Sequence, residues 1–445
     1  MSFRGEKIVM SEEKKLNMPQ SLLLLLLIIG SVAVCIRLKT GGPMIGLFFS
    51  WIIIYLFCKW LKIKYDHVVS GAYDAIRVVV PTLCLLMAIG VMIGTWLQSG
   101  TIATIIAGGL KLIDPTWLLP LTLVFCAVLS LVTGTSYGSV GSAGVAMMAI
   151  GNAMGINPGM VAGAVICGAM FGDKLSPLSD TTNLAPAVAG AKLNDHVRSM
   201  LWTTLPTFVI SLVLFVILGS SQTSGGYEEG NLLVYTEALQ GEFKLGLVTL
   251  IPAAVIIVLL LCKVNAIVSL GLSSVCAGAV AFFCQGVTLQ SIIRVAYNGY
   301  STSIEEGILQ TILNRGGMSS MLQYVAIICF AVGMGGMLDR LGVLGNLLNA
   351  IVNHINSDGS LIAASLLVGY VTSLISCSQP MSHVLTGNMM KPLFKSRKIA
   401  PEILSRTLED AGTLSGPMIP WHGYCVYMSG TLGVAWSVFF PYLFL

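Results

Sequence analysis

Long apolar runs, each closed by a short polar connection, pattern this chain from Ser21 to its C-terminus. Seven runs read through without interruption, at residues 21–36, 44–60, 78–97, 200–219, 245–262, 266–284 and 321–338. A hydrocarbon core of about 30 Å is crossed by about 20 helical residues. In lipid only helices or closed barrels satisfy every backbone polar group, so these runs predict spanning helices. Four further segments are apolar but broken: 117–154 near Thr135, 160–191 near Pro177, 361–394 near Pro380 and 404–445 near Pro417.

Four broken segments in two pairs suggest a repeat. Residues 87–100 (MAIGVMIGTWLQSG) resemble 330–342 (FAVGMGGMLDRLG) with one gap, which sets Gly94 against Gly336 and Gly100 against Gly342 at an offset of 242. The same offset carries Ser136 to Ser378, so the breaks at Thr135 and Pro380 correspond. An offset of 240 sets Gly172 against Gly412 and Pro177 against Pro417. Broken helices at corresponding places in two halves point to a transporter's binding site. The expected fold is all-α and polytopic, built from two repeats that are inverted if each contains an odd number of crossings.

Charge sets boundaries and orientation. The chain divides into a tail at 1–20, a first transmembrane repeat at 21–220, an acidic linker at 221–244 and a second transmembrane repeat at 245–445. Arg4, Lys7, Lys14 and Lys15, the connection at 59–64 and the basic stretch at 391–406 read as cytoplasmic under the positive-inside rule. Glu228, Glu229, Glu237 and Glu242 lie in a stretch without Lys or Arg, which places the linker outside. Phe440-Pro441-Tyr442 aligns near Leu205-Pro206-Thr207, yet the first half runs on to Gly219 whereas the sequence stops at Leu445. Either the second repeat is a helix shorter or the sequence is truncated there.

Composition agrees with a membrane protein. Of 445 residues, 55% are hydrophobic and 10% charged, against about 25% charged in a soluble domain. The net charge of +4 is spread over short connections rather than gathered in a patch, which argues against nucleic acid as a partner. The 11 cysteines form no C-x-x-C pair and lie mostly in apolar runs, as packing residues do. Residues 22–29 resemble a signal-peptide core, but no A-x-A-like site follows before Arg37, so this run is read as the first span. Neither a P-loop nor a dinucleotide fingerprint is present after a strand signal, so transport is expected to draw on ion gradients and to need no cofactor.

The densest chemistry is the run Gly172-Asp173-Lys174-Leu175-Ser176-Pro177-Leu178-Ser179-Asp180-Thr181-Thr182-Asn183. Ionisable groups at membrane depth are costly and mark ion or substrate pathways. Pro177 breaks the helix and frees carbonyls for a cation. Sodium, a hard cation, favours oxygen ligands. Thr135, Ser136, Asp173, Ser176, Ser179, Asp180, Thr181, Thr182 and Asn183 offer them in the first half, and Ser376, Ser378, Gln379, Thr413 and Ser415 in the second. Hydroxyls in helices also bond back to the i−4 carbonyl, the structural alternative for each. Asp173, Asp180 and Asp410 are the proton-coupling candidates, because a carboxylate can hold a proton or sodium. Asp173 pairing with Lys174, Asp180 capping a helix and Asp410 lying at the membrane surface are the structural alternatives. Lys174 reads as a built-in counter-charge, and His383 and His422 as pH-sensing or substrate residues or as packed histidines.

The run at 171–190 (FGDKLSPLSDTTNLAPAVAG) resembles the signature of NhaC-type sodium/proton antiporters. So do Met92-Ile93-Gly94-Thr95-Trp96, Gly134-Thr135-Ser136, Asn314-Arg315-Gly316-Gly317-Met318 and Gly416-Pro417-Met418-Ile419-Pro420-Trp421. The resemblance covers about residue 69 to 445. It implies two inverted repeats with re-entrant hairpins and broken helices, and exchange of sodium for protons, in some members coupled to malate or lactate. The chain departs from the family in carrying His422 where an amide is common, and in ending earlier.

The reading that follows is a sodium/proton antiporter working by alternating access in the cytoplasmic membrane, multi-pass, with Na+, H+ and the bilayer as partners. A homodimer is compatible with the sequence. An exchanger of a small organic anion or amino acid is the alternative. An intramembrane aspartyl enzyme built on Asp173 and Asp180 is a remote one, since it leaves the paired breaks and many hydroxyls unexplained.

Overall fold

The apolar runs fold as helices. The computed structural model describes residues 15–38, 42–222, 237–302, 310, 313–352 and 357–445, and no strand occurs among them. The tail basics Arg4, Lys7 and Lys14, and Glu228 and Glu229 of the linker, lie outside the described residues. The first half comprises α1 (Met18–Arg37), α2 (Gly42–Trp60), α3 (Tyr65–Gln98), α4 (Thr101–Leu112), α5 (Pro115–Thr133), α6 (Ser136–Ser139), α7 (Val145–Ala153), α8 (Pro158–Leu175), α9 (Asp180–Ala189) and α10 (Leu193–Gln222). The second comprises α11 (Ile251–Leu261), α12 (Ala266–Val280), α13 (Leu289–Asn298), α14 (Met318–Arg340), α15 (Val343–Val352) and α16 (Asp358–Ser376). There follow α17 (Gln379–Ser396), α18 (Pro401–Leu408), α19 (Gly423–Leu432) and α20 (Trp436–Phe439).

Seven of the described helices are long and apolar enough to cross a membrane, and α8 with α9, bent by 48° at their break, makes an eighth. The protein is thus multi-pass. Outward-facing Leu26, Ile210, Phe283 and Val275 are exposed and suit a lipid-facing surface. Three expected spans differ in extent, one of them residues 200–219, which lie within the 30-residue α10. Residues 78–97 are the second part of α3, 34 residues long, and 245–262 shortens to a 3-10 turn followed by the 11-residue α11.

Small residues bring the central helices close, the usual means where lipid removes the hydrophobic drive for association. A Cβ at Gly168 would meet the carbonyl of Leu123, and one at Gly172 the carbonyl of Ala127, so α5 and α8 cross nearly backbone to backbone. α3 and α14 meet in the same way, with Gly71 against Gly336 and the Gly317 N–H donating to the Gly90 carbonyl at 2.7 Å.

Both expected breaks between antiparallel helices are present, and they share one backbone form. Gly134 (φ 71) ends α5 in the left-handed region, Thr135 is extended, and α6 starts at Ser136. Cys377 (φ 55) ends α16, Ser378 is extended, and α17 starts at Gln379. Thr135 and Ser378 therefore correspond, whereas the sequence offset pairs Ser136 with Ser378.

The two hairpins, α5–α7 and α16–α17, are anchored to different helices. Near the C-terminal end of α10, Gly219 backs onto Thr116 at the start of α5. Lys391 of α17 donates to the carbonyl of Val188 in α9 at 2.9 Å.

Candidate functional site

The break after α8 and the break before α6 meet. A Cβ at Gly134 would strike Leu178, which sets the hairpin tip against the loop around Pro177. Across this contact Ser136 Oγ donates to Asp173 Oδ2 at 2.7 Å, and both residues are buried. Ser179 lies beside the same carboxylate, and Thr182 Oγ1 donates to the Asp173 carbonyl at 3.1 Å. Asp173 Oδ1 has no hydrogen-bond partner among the described residues.

The second half contributes a matching set. Gln379 Nε2 donates to the Thr413 carbonyl at 2.9 Å, and the Gly423 N–H to the Cys377 carbonyl at 3.2 Å, so the tip of the α16–α17 hairpin is tied to both sides of the Pro417 break. Residues Glu409–Thr413 form a widened π-type turn, a feature frequent at functional sites. Its Thr413 hydroxyl donates to Glu409 and lies 3.1 Å from His383 Nε2. Glu409 is fully buried, within electrostatic range of Asp173 and Lys174, and its Oε1 has no partner among the described residues. Ser378 Oγ is likewise buried without one.

Lys174 joins the two sets. Its ammonium, 2% exposed, pairs with Asp410 Oδ1 at 2.7 Å rather than with neighbouring Asp173, and Thr203 donates to the same oxygen at 3.3 Å. Tyr424 and Tyr427 of α19 close the other side, Tyr424 beside Ser136 and Tyr427 donating to the Tyr137 carbonyl at 2.7 Å.

Of the residues expected from sequence, Ser136, Asp173, Lys174, Ser176, Ser179, Thr181, Thr182, Ser376, Ser378, Gln379, His383, Thr413, Ser415 and His422 are buried at or beside the two breaks. Several oxygens there are already engaged: Ser415 donates to Ser373 at 2.7 Å, Ser376 to the Ser378 carbonyl, and Ser176 accepts from the Leu178 N–H. Thr135 caps α6, its side chain accepting from the Gly138 N–H. Asp180 and Asn183 are exposed on α9. Asp180 occupies the first position of the helix while Ser179 stands at its cap, and Asn183 donates to the Pro177 and Ser179 carbonyls. His422 caps α19, accepting from the Tyr424 N–H at 3.0 Å.

Glu409 and Tyr424 were not anticipated. Glu409 stands four residues before Thr413, the helical spacing that puts both on one face, and this was the available signal.

This arrangement can hold a small cation among hydroxyl, carbonyl and carboxylate oxygens, and can exchange it for protons on two carboxylates. Comparison with known proteins agrees in kind. A profile of the Na+/H+ antiporter family matches residues 168–445. The chain is 35% identical to the Na+/H+ antiporter NhaC of Alkalihalophilus pseudofirmus, over 97% of its own length and 93% of that protein. It is 35% identical to the malate-2H+/Na+-lactate antiporter of Bacillus subtilis over 90% of the chain and 86% of that protein. Against the arginine/ornithine antiporter ArcD of Halobacterium salinarum it is 31% identical, over 85% and 79% respectively.

Proposed function

The chain belongs to the Na+/H+ antiporter family, and from that premise we propose that it exchanges sodium for protons at the site between the two hairpin tips, in the cytoplasmic membrane. It is a transporter, not an enzyme. Asp173 and Glu409 take up sodium or release it to protons, with Ser136, Ser378 and Thr413 as neutral ligands and helpers. The observation that carries this is the Ser136–Asp173 contact, which seats a buried carboxylate, one oxygen of which has no partner among the described residues, against a helix break.

Lys174 and Asp410 neutralise each other and keep the buried site from accumulating charge as the cation leaves. The shared backbone form of the two breaks supports a two-repeat architecture that alternates access by moving hairpins against scaffold. Sodium and protons are cargo, and the reading needs no cofactor.

The test is proton flux in proteoliposomes carrying an internal pH dye. Sodium alone should alkalinise or acidify the lumen according to gradient direction, and a flat trace with sodium at every pH would sink the proposal. Identity with the malate-2H+/Na+-lactate antiporter favours a second reading, in which a small organic anion is also carried.

A further inference from the structure

The motif Asn314-Arg315-Gly316-Gly317-Met318 plays no part in the proposed sodium site, yet its backbone is closely packed. Gly316 and Gly317 both have φ 81, Gly316 lies against Gly94, and Gly317 is hydrogen bonded to Gly90. The turn holds Arg315 over Gly433, where any side chain would collide with the guanidinium, and beside Tyr324. Arg315 is half-buried, and none of the ion pairs among the described residues uses it.

Arg315 faces a cavity of about 310 Å3, whose polar lining among the described residues is otherwise neutral: Asn298, Tyr300, Asn314, Ser320, Gln323 and Tyr324, with Glu242 standing behind Tyr300, whose hydroxyl donates to it. The N-terminus of the 23-residue α14 opens at the same place, and its Gly317 cap provides no side-chain acceptor. A larger cavity of about 690 Å3, whose lining holds the charged side chains Glu242 and Arg294, adjoins it through Asn298 and Tyr300.

We propose that the Arg315 cavity binds the carboxylate of a small organic acid. A guanidinium offers a planar fork that matches a carboxylate in two parallel hydrogen bonds, and the positive end of α14 adds to its pull. A single cationic side chain among neutral amides suits one carboxylate with a polar substituent better than a phosphate. The cavity lies in the size range of small-molecule sites. Gly433, beneath Arg315, ends α19, whose other end carries His422, so an acid bound here sits about 15 Å along one ten-residue helix from the second break. The inference deepens the organic-anion reading above. The rival is that Arg315 merely caps the carbonyl end of α19.

Calorimetry on the purified protein in nanodiscs, with acetate, lactate, succinate, malate and inorganic phosphate, decides between them. At least one of the carboxylates should bind saturably to the wild type. Arg315→Gln should weaken that binding about tenfold or more, Arg315→Lys less, and Asn298→Ala measurably, while sodium-driven proton flux persists in all three. No carboxylate binding to the wild type, tighter binding of phosphate, or equal carboxylate binding by wild type and Arg315→Gln overturns the proposal. If Arg315→Gln also loses sodium flux, Asn298→Ala decides, and unchanged binding there overturns it. Carboxylate-coupled flux in the wild type tests the organic-anion reading separately from the site, and sodium-alone flux tests the antiport reading.

Discussion

Ser136 and Asp173 stand 37 residues apart in the chain and 2.7 Å apart in space, the hydroxyl donating to the carboxylate across the meeting point of two helix breaks. A hydrogen bond to a charged group contributes about 1.5–3 kcal/mol. Ser136→Ala should therefore raise the apparent KM for sodium about tenfold to a hundredfold in a proteoliposome flux assay. An unaltered KM would detach Ser136 from the cation.

Asp173→Asn should remove most sodium-driven proton flux, and the same substitution at the exposed Asp180 should remove little. If protons and sodium compete for one oxygen, as proposed, lowering the pH raises the apparent KM for sodium in the wild type. Glu409→Gln should flatten that slope if Glu409 shares the proton load. A full pH slope in Glu409→Gln, measured over several pH values, would leave Asp173 as the sole competitor.

Removing Lys174 leaves the partly buried Asp410 charge without its partner, which is destabilising, whereas replacing both partners by apolar residues is often neutral. Lys174→Met should thus lower the melting temperature in detergent more than the double substitution Lys174→Met with Asp410→Leu. Equal losses from the single and double variants would show that the two groups are not coupled.

Cys377 holds a left-handed conformation that costs a non-glycine residue about 1–2 kcal/mol. Cys377→Gly should raise stability by about 1 kcal/mol, and the β-branched Cys377→Val should lower it, both read from thermal unfolding. Stability falling in Cys377→Gly would mean that the buried thiol's packing outweighs the backbone term.

The breaks were legible because proline, glycine and clustered hydroxyls cannot hide in an apolar run. Their register was less so: the first break marks its left-handed residue with Gly134, but the second uses Cys377, which gives no such signal, and the alignment slipped by one residue. Glu409 and Asp410 are adjacent acids, and only the widened turn decides that Glu409 faces the buried cluster while Asp410 meets Lys174. Asp180 reads like Asp173 in sequence, yet the bend at Pro177 turns it outward. Long-range pairings such as Lys174–Asp410, 236 residues apart, leave no local trace at all.

The mutual neutralisation of Lys174 and Asp410 has an electrical consequence. Under the proposed exchange, with that pair silent, the charge carried per cycle depends on Asp173 and Glu409. If both discharge protons against a single sodium ion, each turnover moves one net charge, and about 2.3 kcal/mol per 100 mV of membrane voltage enters the driving force. Flux would then respond to a potassium–valinomycin potential, and Glu409→Gln would convert the exchanger to a voltage-indifferent one.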